Sequence, residues 1–407
     1  MSGVRGACPG LSDPMPTGDG LLVRLTPNRH IDPVAFVVLC ALAQQHGNGV
    51  MEVTARGNLQ VRGLTSQSAP LFADAIAALR VASTARVPVL TDPLPEDPDA
   101  LIDATAIAAA LTDALELRRL NLAPKVSIAI DGGGRLHLDA VPVDIRLRAL
   151  GARLHVAFGD EALGTIALRD ATQVTIRLLE LIAAHGPAAR AKDVLRKAGV
   201  APVRSAVAEH IEGASTPPTR RVAEPIGLHP LRDGKLALGV ALAFGQADGE
   251  ALSRLASAMR EHGARALRPA PGRALLVIGL EPDGAERAAA TAQQLGFITR
   301  ANDPRRRIAA CAGKPACASA YLPTRALAAE IAPHLPRRDG TIVLHISGCP
   351  KGCAHPAAAA LTVIGDARGA GIVRDGTAAA KPSRHVSPDD LVTEIKEALQ
   401  MSEADHG

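Results

Sequence analysis

GDGLLVRLTPNRHIDPVAFVVLCALAQQHGNGVMEVTARGNLQVRGL (Gly18–Leu64) and DGKLALGVALAFGQADGEALSRLASAMREHGARALRPAPGRALLVIGL (Asp233–Leu280) are two copies of one pattern. Each opens on a strand-like run, LLVRL or LALGVALA, and continues with apolar residues at helical spacing. The helical stretch stops at a glycine, in QQHG or REHG, suited to a helix C-cap, and two short strands close the unit. One such unit leaves an apolar sheet face uncovered. The two copies are therefore expected to join into a single pseudo-twofold layer.

A second kind of segment follows each copy. After the first come KVSIAIDGGGRLHL, expected as a hairpin, a strand pair in ARLHVAFGDEALGTIAL and the helix TQVTIRLLELIAAHG. After the second come the strand TIVLHIS, the hairpin-like LTVIGDARGAGIV and a closing helix near PDDLVTEIKEALQ. The order is A–B–A′–B′, and the Pro-rich GASTPPTRRVAEP, residues 213–225, joins the halves. The glycines of Asp131-Gly132-Gly133-Gly134 are not a phosphate loop, because no helix start follows them.

The last unit carries the chemistry. Only six cysteines occur in 407 residues, and four form two tight pairs, Cys311 and Cys317 in CAGKPAC and Cys349 and Cys353 in SGCPKGC. Thiolates are soft ligands for an iron–sulfur cluster or for zinc. Spacings of five and three residues on separate loops favour the cluster over zinc, whose pairs are usually two to four residues apart. The Gly/Pro-rich, polar opening lacks the basic start and apolar run of a secretory signal, which argues against disulfides and for a reducing, cytoplasmic setting. Cys40, in VVLCALA, reads as a buried helix thiol.

Composition excludes several classes. Aromatics are 1% of the chain, with no Trp and one Tyr, so Ala, Leu, Val and Ile must build the core and base-stacking platforms are missing. A net charge of +4 is too mild for a duplex-binding protein and suits a small polyanionic substrate. Apolar runs such as PVAFVVLCALA fall short of the roughly 20 residues that cross a bilayer. Neither a nucleic acid nor a membrane is expected as a partner.

Repeat and cysteine motif together resemble the nitrite/sulfite reductase superfamily over essentially the whole length. The resemblance implies an α+β fold in which pseudo-twofold ferredoxin-like half-domains, residues 1–78 and 226–300, alternate with two α/β domains, residues 79–212 and 301–407. It also implies a [4Fe–4S] cluster on Cys311, Cys317, Cys349 and Cys353, the last of which bridges to sirohaem iron in the reductases. Within the superfamily the chain is most similar to the precorrin-3B synthase family. RGACPGLSDPMPTGDGLLVRL, VTARGNLQVRGL, IAIDGGGRL, ACAGKPACASA and HISGCPKGCAHP carry that likeness. What it implies is an O2-dependent monooxygenase that hydroxylates precorrin-3A and closes a γ-lactone. A mononuclear non-haem iron would sit beside the cluster, without sirohaem, and NADH would supply electrons through a reductase or a ferredoxin.

Site residues follow from the same likeness. In sulfite reductases a TxRxxxQ segment, a further arginine and two lysines surround the anion; here Arg56 and Gln60 match the first, Arg86 the second and Lys125 the first lysine. Ser127 stands where the second lysine would be, which weakens the case for sulfite reduction. Arg62, expected on one strand face with Arg56, and Arg268 and Arg273 of the second copy join these as candidates for substrate carboxylates. His355, just past Cys353, is a structural histidine or a ligand to iron or substrate, and is the candidate catalytic residue. Gly348 and Gly352 would let backbone approach the cluster, Lys351 would offset its charge, and Cys8 would face the site. Two other readings stay open: a sirohaem-dependent sulfite or nitrite reductase, and a non-catalytic iron–sulfur carrier or redox sensor.

Overall fold

Both copies of the repeat start their helix on an aspartate. Asp32 accepts from the Val34 backbone N–H at 2.8 Å and opens helix Pro33–His46, with proline in the first turn where no N–H is needed. Asp248 accepts from the Ala251 N–H at 2.6 Å and opens helix Gly249–Glu261. The computed structural model describes residues 9–27, 30–82, 87–118, 120–213, 216–338, 342–387 and 389–404. Cys8 and Arg86 lie outside the described residues.

Each copy builds an antiparallel sheet with the same strand order. The first runs Met15–Thr17, Gly20–Leu25, Leu59–Leu64, Val50–Val53; the second runs Gly227–Pro230, Leu236–Ala241, Ala274–Leu280, Ala266–Ala270. The two sheets do not merge into the expected single layer. Instead, the residues just before each helix cover the open edge of the other copy's sheet. Gln246–Asp248 pairs with Val50–Val53, and Ile31 exchanges two backbone bonds of 2.8 Å with Leu267. An uncovered edge would leave a row of unpaired amides, and this reciprocal exchange removes both.

The helices Pro33–His46 and Gly249–Glu261 then pack on each other over one shared core, with Val23, Phe36, Leu39 and Phe72 from one copy and Val240, Leu255, Met259 and Val277 from the other. A Cβ on Gly249 would stand 3.0 Å from the Cys40 carbonyl oxygen, so glycine sets how closely the helices approach. Cys40 is fully buried, and burial pushes its thiol up to about 12. The two C-cap glycines differ. Gly263 is left-handed, at φ +88°, whereas Gly47 is extended and lets strand Leu59–Leu64 come close, since a Cβ there would sit 2.3 Å from Arg62 O.

The B units repeat each other as well. One sheet runs Val89–Thr91, Ile128–Asp131, Ile145–Leu150, Arg153–Phe158, Glu161–Ala167; the other runs Ile308–Ala310, Leu344–Ser347, Ala359–Asp366, Gly369–Gly376, Arg384–Val386. In both, the first three strands are parallel and the last two antiparallel. A helix follows the first strand (Ala104–Glu116; Thr324–Ile331) and another follows the last (Ala171–Ala184; Leu391–Ala404). The hairpin expected at KVSIAIDGGGRLHL is absent: Ile128–Asp131 is buried on both faces and paired in parallel on both sides, so the glycines lead out of the sheet into a loop. A four-residue apolar run is what a central parallel strand looks like.

Among the described residues no helix is long and apolar enough to cross a membrane. The joint between the halves is packed tightly, for a Cβ on Gly239 would fall 1.6 Å from the Pro225 carbonyl oxygen. Gly239→Ala is expected to destabilise the fold by about 1–3 kcal/mol through overpacking, read as a lower urea midpoint.

Candidate functional site

Cys311 follows strand Ile308–Ala310 and Cys349 follows Leu344–Ser347, at the carboxyl ends of adjacent parallel strands. That is where open α/β sheets place ligands. The Gly348 N–H donates to Cys311 Sγ at 3.1 Å, Tyr321 N–H donates to Gly348 O at 2.7 Å, and Thr324 Oγ1 donates to Cys311 O at 2.7 Å. Lys351 Nζ reaches Ser319 Oγ at 3.0 Å and so ties one cysteine loop to the other. A Cβ on Gly348 would lie 2.7 Å from Ala320 Cβ, which no side chain could tolerate. Cys353 is the exposed thiol of the four, pushed up by burial of its surroundings and by Cys349, Cys311 and Cys317.

Cys349, Cys311 and Cys317 all act on the Cys353 thiol, so the four sulfurs share one neighbourhood. The Gly348 N–H aimed at a sulfur is the kind of bond that tunes a thiolate-bound cluster.

Two arginines from the two repeats hold these loops. Arg62 is 4% exposed; it makes paired bonds to Asp19 at 3.0 and 2.8 Å, and its Nη2 donates to Ala316 O, beside Cys317, at 2.6 Å. Arg273 Nη2 donates to Ala354 O, beside Cys353, at 3.0 Å. Arg325, next to Thr324, bonds Glu52 of the first copy at 2.6 Å. Arg62 is thus engaged as a clamp on the Cys317 loop, whereas Arg56 lies before strand Leu59–Leu64 begins.

In the first B unit the same backbone arrangement recurs without cysteine. Gly132 N–H donates to Asp92 as Gly348 N–H does to Cys311. Asp131, His137 and Asp139 bring ligand atoms within 4.8 Å of one another, but Arg220 of the joint already donates to both carboxylates. This counterpart site is closed by a guanidinium. Burial, then Asp131, pushes Asp92 up to about 8, and its Oδ1 has no hydrogen-bond partner.

A cavity of about 770 Å³ opens between the first repeat and the first B unit. Arg24, Arg56, Lys125, Ser127 and Arg190 line it, together with Pro9–Ser12. Ser127 is buried with its hydroxyl unpartnered. Gln60 is paired in the sheet between Arg24 and Glu52, and its amide, turned with the oxygen toward Arg24 and the nitrogen toward Glu52, bonds each at 2.9 Å. A smaller cavity of about 240 Å³ shares Arg56 and adds Arg268, which donates to Thr91 at 2.8 Å; burial pulls Arg268 down to about 10. A third, of about 300 Å³, holds Arg273 and His355 and shares Ala55 with the first.

Of the candidates, Arg56 and Lys125 meet at the main cavity, while Arg268, Arg273 and His355 face its neighbours. Sequence reasoning missed Arg24 and Arg190. Arg24 alternates with core residues on strand Gly20–Leu25, a readable sign, whereas Arg190 reaches the cavity only through its ion pair with Asp144 at 2.8 Å.

Comparison with known proteins agrees with this geometry. The nitrite/sulfite reductase ferredoxin-like half domain matches residues 13–79. The structure of the Mycobacterium tuberculosis NirA protein superposes with a TM-score of 0.76 at 20% identity, covering 93% of this chain and 80% of that one. Fold and half domain together define the duplicated nitrite/sulfite reductase-like architecture. A precorrin-3B synthase from Sinorhizobium sp is 38% identical over 403 residues, 95% of this chain and 86% of that protein. The chain belongs to the precorrin-3B synthase family. A sulfite reductase [ferredoxin] of Mycobacterium tuberculosis is 28% identical over only 41% of the chain and 32% of its own length.

Two predictions follow from the buried charges. Arg62→Ala leaves Asp19 unpaired beneath the Cys317 loop and is expected to cost about 3–5 kcal/mol in denaturant unfolding. Asp92 titrates near 3.8 when unfolded and about 8 when folded, so the folded chain holds an extra proton between those values and loses stability as pH rises through them. Asp92→Asn should flatten that fall, seen as a melting temperature that changes less between pH 5 and pH 8.

Proposed function

We propose that the chain is an O2-dependent monooxygenase that hydroxylates precorrin-3A and closes a γ-lactone, in aerobic cobalamin biosynthesis. The observation that carries this reading is the cavity of about 770 Å³ with Arg24, Arg56, Lys125 and Arg190 in its wall. It has the size and charge for a carboxylate-bearing macrocycle. Small anions would leave most of it empty.

The chain's own residues bind and orient. Arg24 and Arg56 offer bidentate contacts to ring carboxylates and Lys125 a point charge. Arg190 is already paired with Asp144, so it shapes the wall more than it supplies free charge. Holding one acetate against the ring turns lactone closure into an intramolecular step with a high effective concentration. Cys311, Cys317, Cys349 and Cys353 would hold a [4Fe–4S] cluster, and their soft donors and the Gly348 N–H directed at Cys311 Sγ fit it. When bound, the cluster supplies single electrons, and a mononuclear non-haem iron supplies dioxygen activation. The electrons come from NADH through a reductase or a ferredoxin, in the cytoplasm.

A sirohaem-dependent sulfite or nitrite reductase is the second reading, because the cavity would also admit a sirohaem. Ser127 favours the first reading, since its neutral hydroxyl stands in the wall where the reductases carry a second lysine. Anaerobically purified protein given precorrin-3A, reductant and O2 is expected to yield a product heavier by one oxygen atom, with only broad iron–sulfur absorption in its spectrum. An intense Soret band together with anion reduction would favour the reductase instead. Cys353→Ser is expected to lose cluster absorbance and turnover together, and retention of both would remove Cys353 from the ligand set.

A further inference from the structure

Duplication gives the molecule two equivalent cavities, each built where the turns of the two repeats meet the first strand of a B unit. The cavity of about 300 Å³ includes Ala55, Gly272, Arg273 and Ile308 and lies beside the second cysteine loop. The cavity of about 240 Å³ includes Gly57, Pro271, Val89 and Arg268 and lies beside the unit without cysteines. Arg268, on strand Ala266–Ala270, is 6% exposed. It donates to Thr91 Oγ1 at 2.8 Å and forms no ion pair among the described residues. Arg62 and Arg148 are buried to a similar degree, yet each meets a carboxylate, Asp19 and Asp139 respectively. Burial pulls Arg268 down to about 10 against the attraction of Asp92 and Glu96, so it is still charged at pH 7. A guanidinium taken out of water with no counter-ion is costly, and an anion entering the cavity beside it would offset that cost.

We propose that the cavity of about 240 Å³ binds one aliphatic carboxylate, held by the Arg268 guanidinium and the hydroxyls of Thr91 and Thr105. Arginine presents paired N–H groups that match the two oxygens of a carboxylate. Thr91, which accepts from Arg268, keeps its own proton to donate. Thr105 also lines the cavity, and its buried hydroxyl has no partner. Pro88, Val89, Ala108 and Pro269 make other parts of the wall apolar, which suits an acid carried on a short carbon chain. Exposed Asp113 in the lining, and Glu96 acting on Arg268, oppose a second negative charge and so disfavour a phosphate dianion. The cavity shares Thr26, Arg56, Asn58 and Leu90 with the one of about 770 Å³. Resting on the monooxygenase reading, the carboxylate is a side-chain arm of the macrocycle in that larger cavity; a free small acid is the other source of the same chemistry.

The test uses the full chain carrying its iron–sulfur cluster, with sodium propionate as the probe and sodium chloride at equal ionic strength as the control. The melting temperature of wild type is expected to rise saturably with propionate, because a ligand bound only by the folded state stabilises it. Arg268→Gln removes an unpaired buried charge, so it should melt no lower than wild type without propionate. It should also need roughly tenfold more propionate for the same rise. A purely structural arginine would instead lower the melting temperature when replaced and leave the propionate response intact. Thr105→Val keeps the volume, loses one hydroxyl and should weaken the response by about threefold; it decides the matter if Arg268→Gln does not fold. Wild type that rises no more than its chloride control, or Arg268→Gln that responds as wild type does, overturns the site. Precorrin-3A turnover on the same samples separates the two sources. A KM roughly tenfold higher in Arg268→Gln, with propionate competing, assigns the pocket to the substrate's own arm, and an unchanged KM assigns it to a free acid. Propionate bound at Arg268 without turnover refutes the monooxygenase reading alone, and turnover without a propionate response refutes the carboxylate pocket alone.

Discussion

Arg62 carries a full charge into the interior, and the cysteine end of the molecule depends on how that charge is met. Asp19 neutralises it through two parallel bonds, and Nη2, one of the two nitrogens in that pair, also donates to Ala316 O beside Cys317. An unpaired guanidinium at that depth would be strongly destabilising, so strand, turn and cysteine loop are held as a unit. Gly18 adds to the join, since a Cβ there would stand 2.6 Å from the Ala318 nitrogen. Arg273 does the same for the second loop from the second repeat. Four thiols from separate loops keep one arrangement because two repeats hold them from both sides.

Duplication explains why such clamps exist. Each repeat lends the residues before its helix to the other's sheet edge, which brings the turns at Arg56 and Pro271 together as a bridge. The equivalent loops of the two B units then met different fates. One received cysteines. The other kept the same N–H bond but with Asp92 as its acceptor, and was filled by Arg220 from the joint. The polar cavity wall lies between the first repeat and the unit without cysteines, and cation-bearing turns and loops from both line it.

Much of this was legible in the chain. The repeat, the A–B–A′–B′ order, the cysteine pairs, the helix ends at the glycines of QQHG and REHG and the place of Cys40 all rest on local patterns of apolar spacing, capping and composition. Partners in space were not legible. Arg56 and Arg62 are six residues apart, yet one faces a cavity and the other a cysteine loop, because a turn intervenes before the strand begins. The DGGG segment resembled a hairpin, since a short apolar strand looks the same whether its neighbours are parallel or antiparallel. His345 carried no signal at all, for a lone histidine in LHIS becomes unusual only when burial leaves both its nitrogens unpaired.

The sequence by itself determined the class of fold and the soft-ligand chemistry, because periodicity, glycine placement and thiol spacing act over short stretches of chain. Only the tertiary structure decided which arginines line a cavity and which hold loops, where Arg24, Arg190 and His345 stand, and that the two sheets remain separate. Those outcomes depend on which buried charge finds a partner and which strand edge is covered. Both are settled by residues distant in the chain, such as Arg62 and Ala316, that meet only when the halves close on each other.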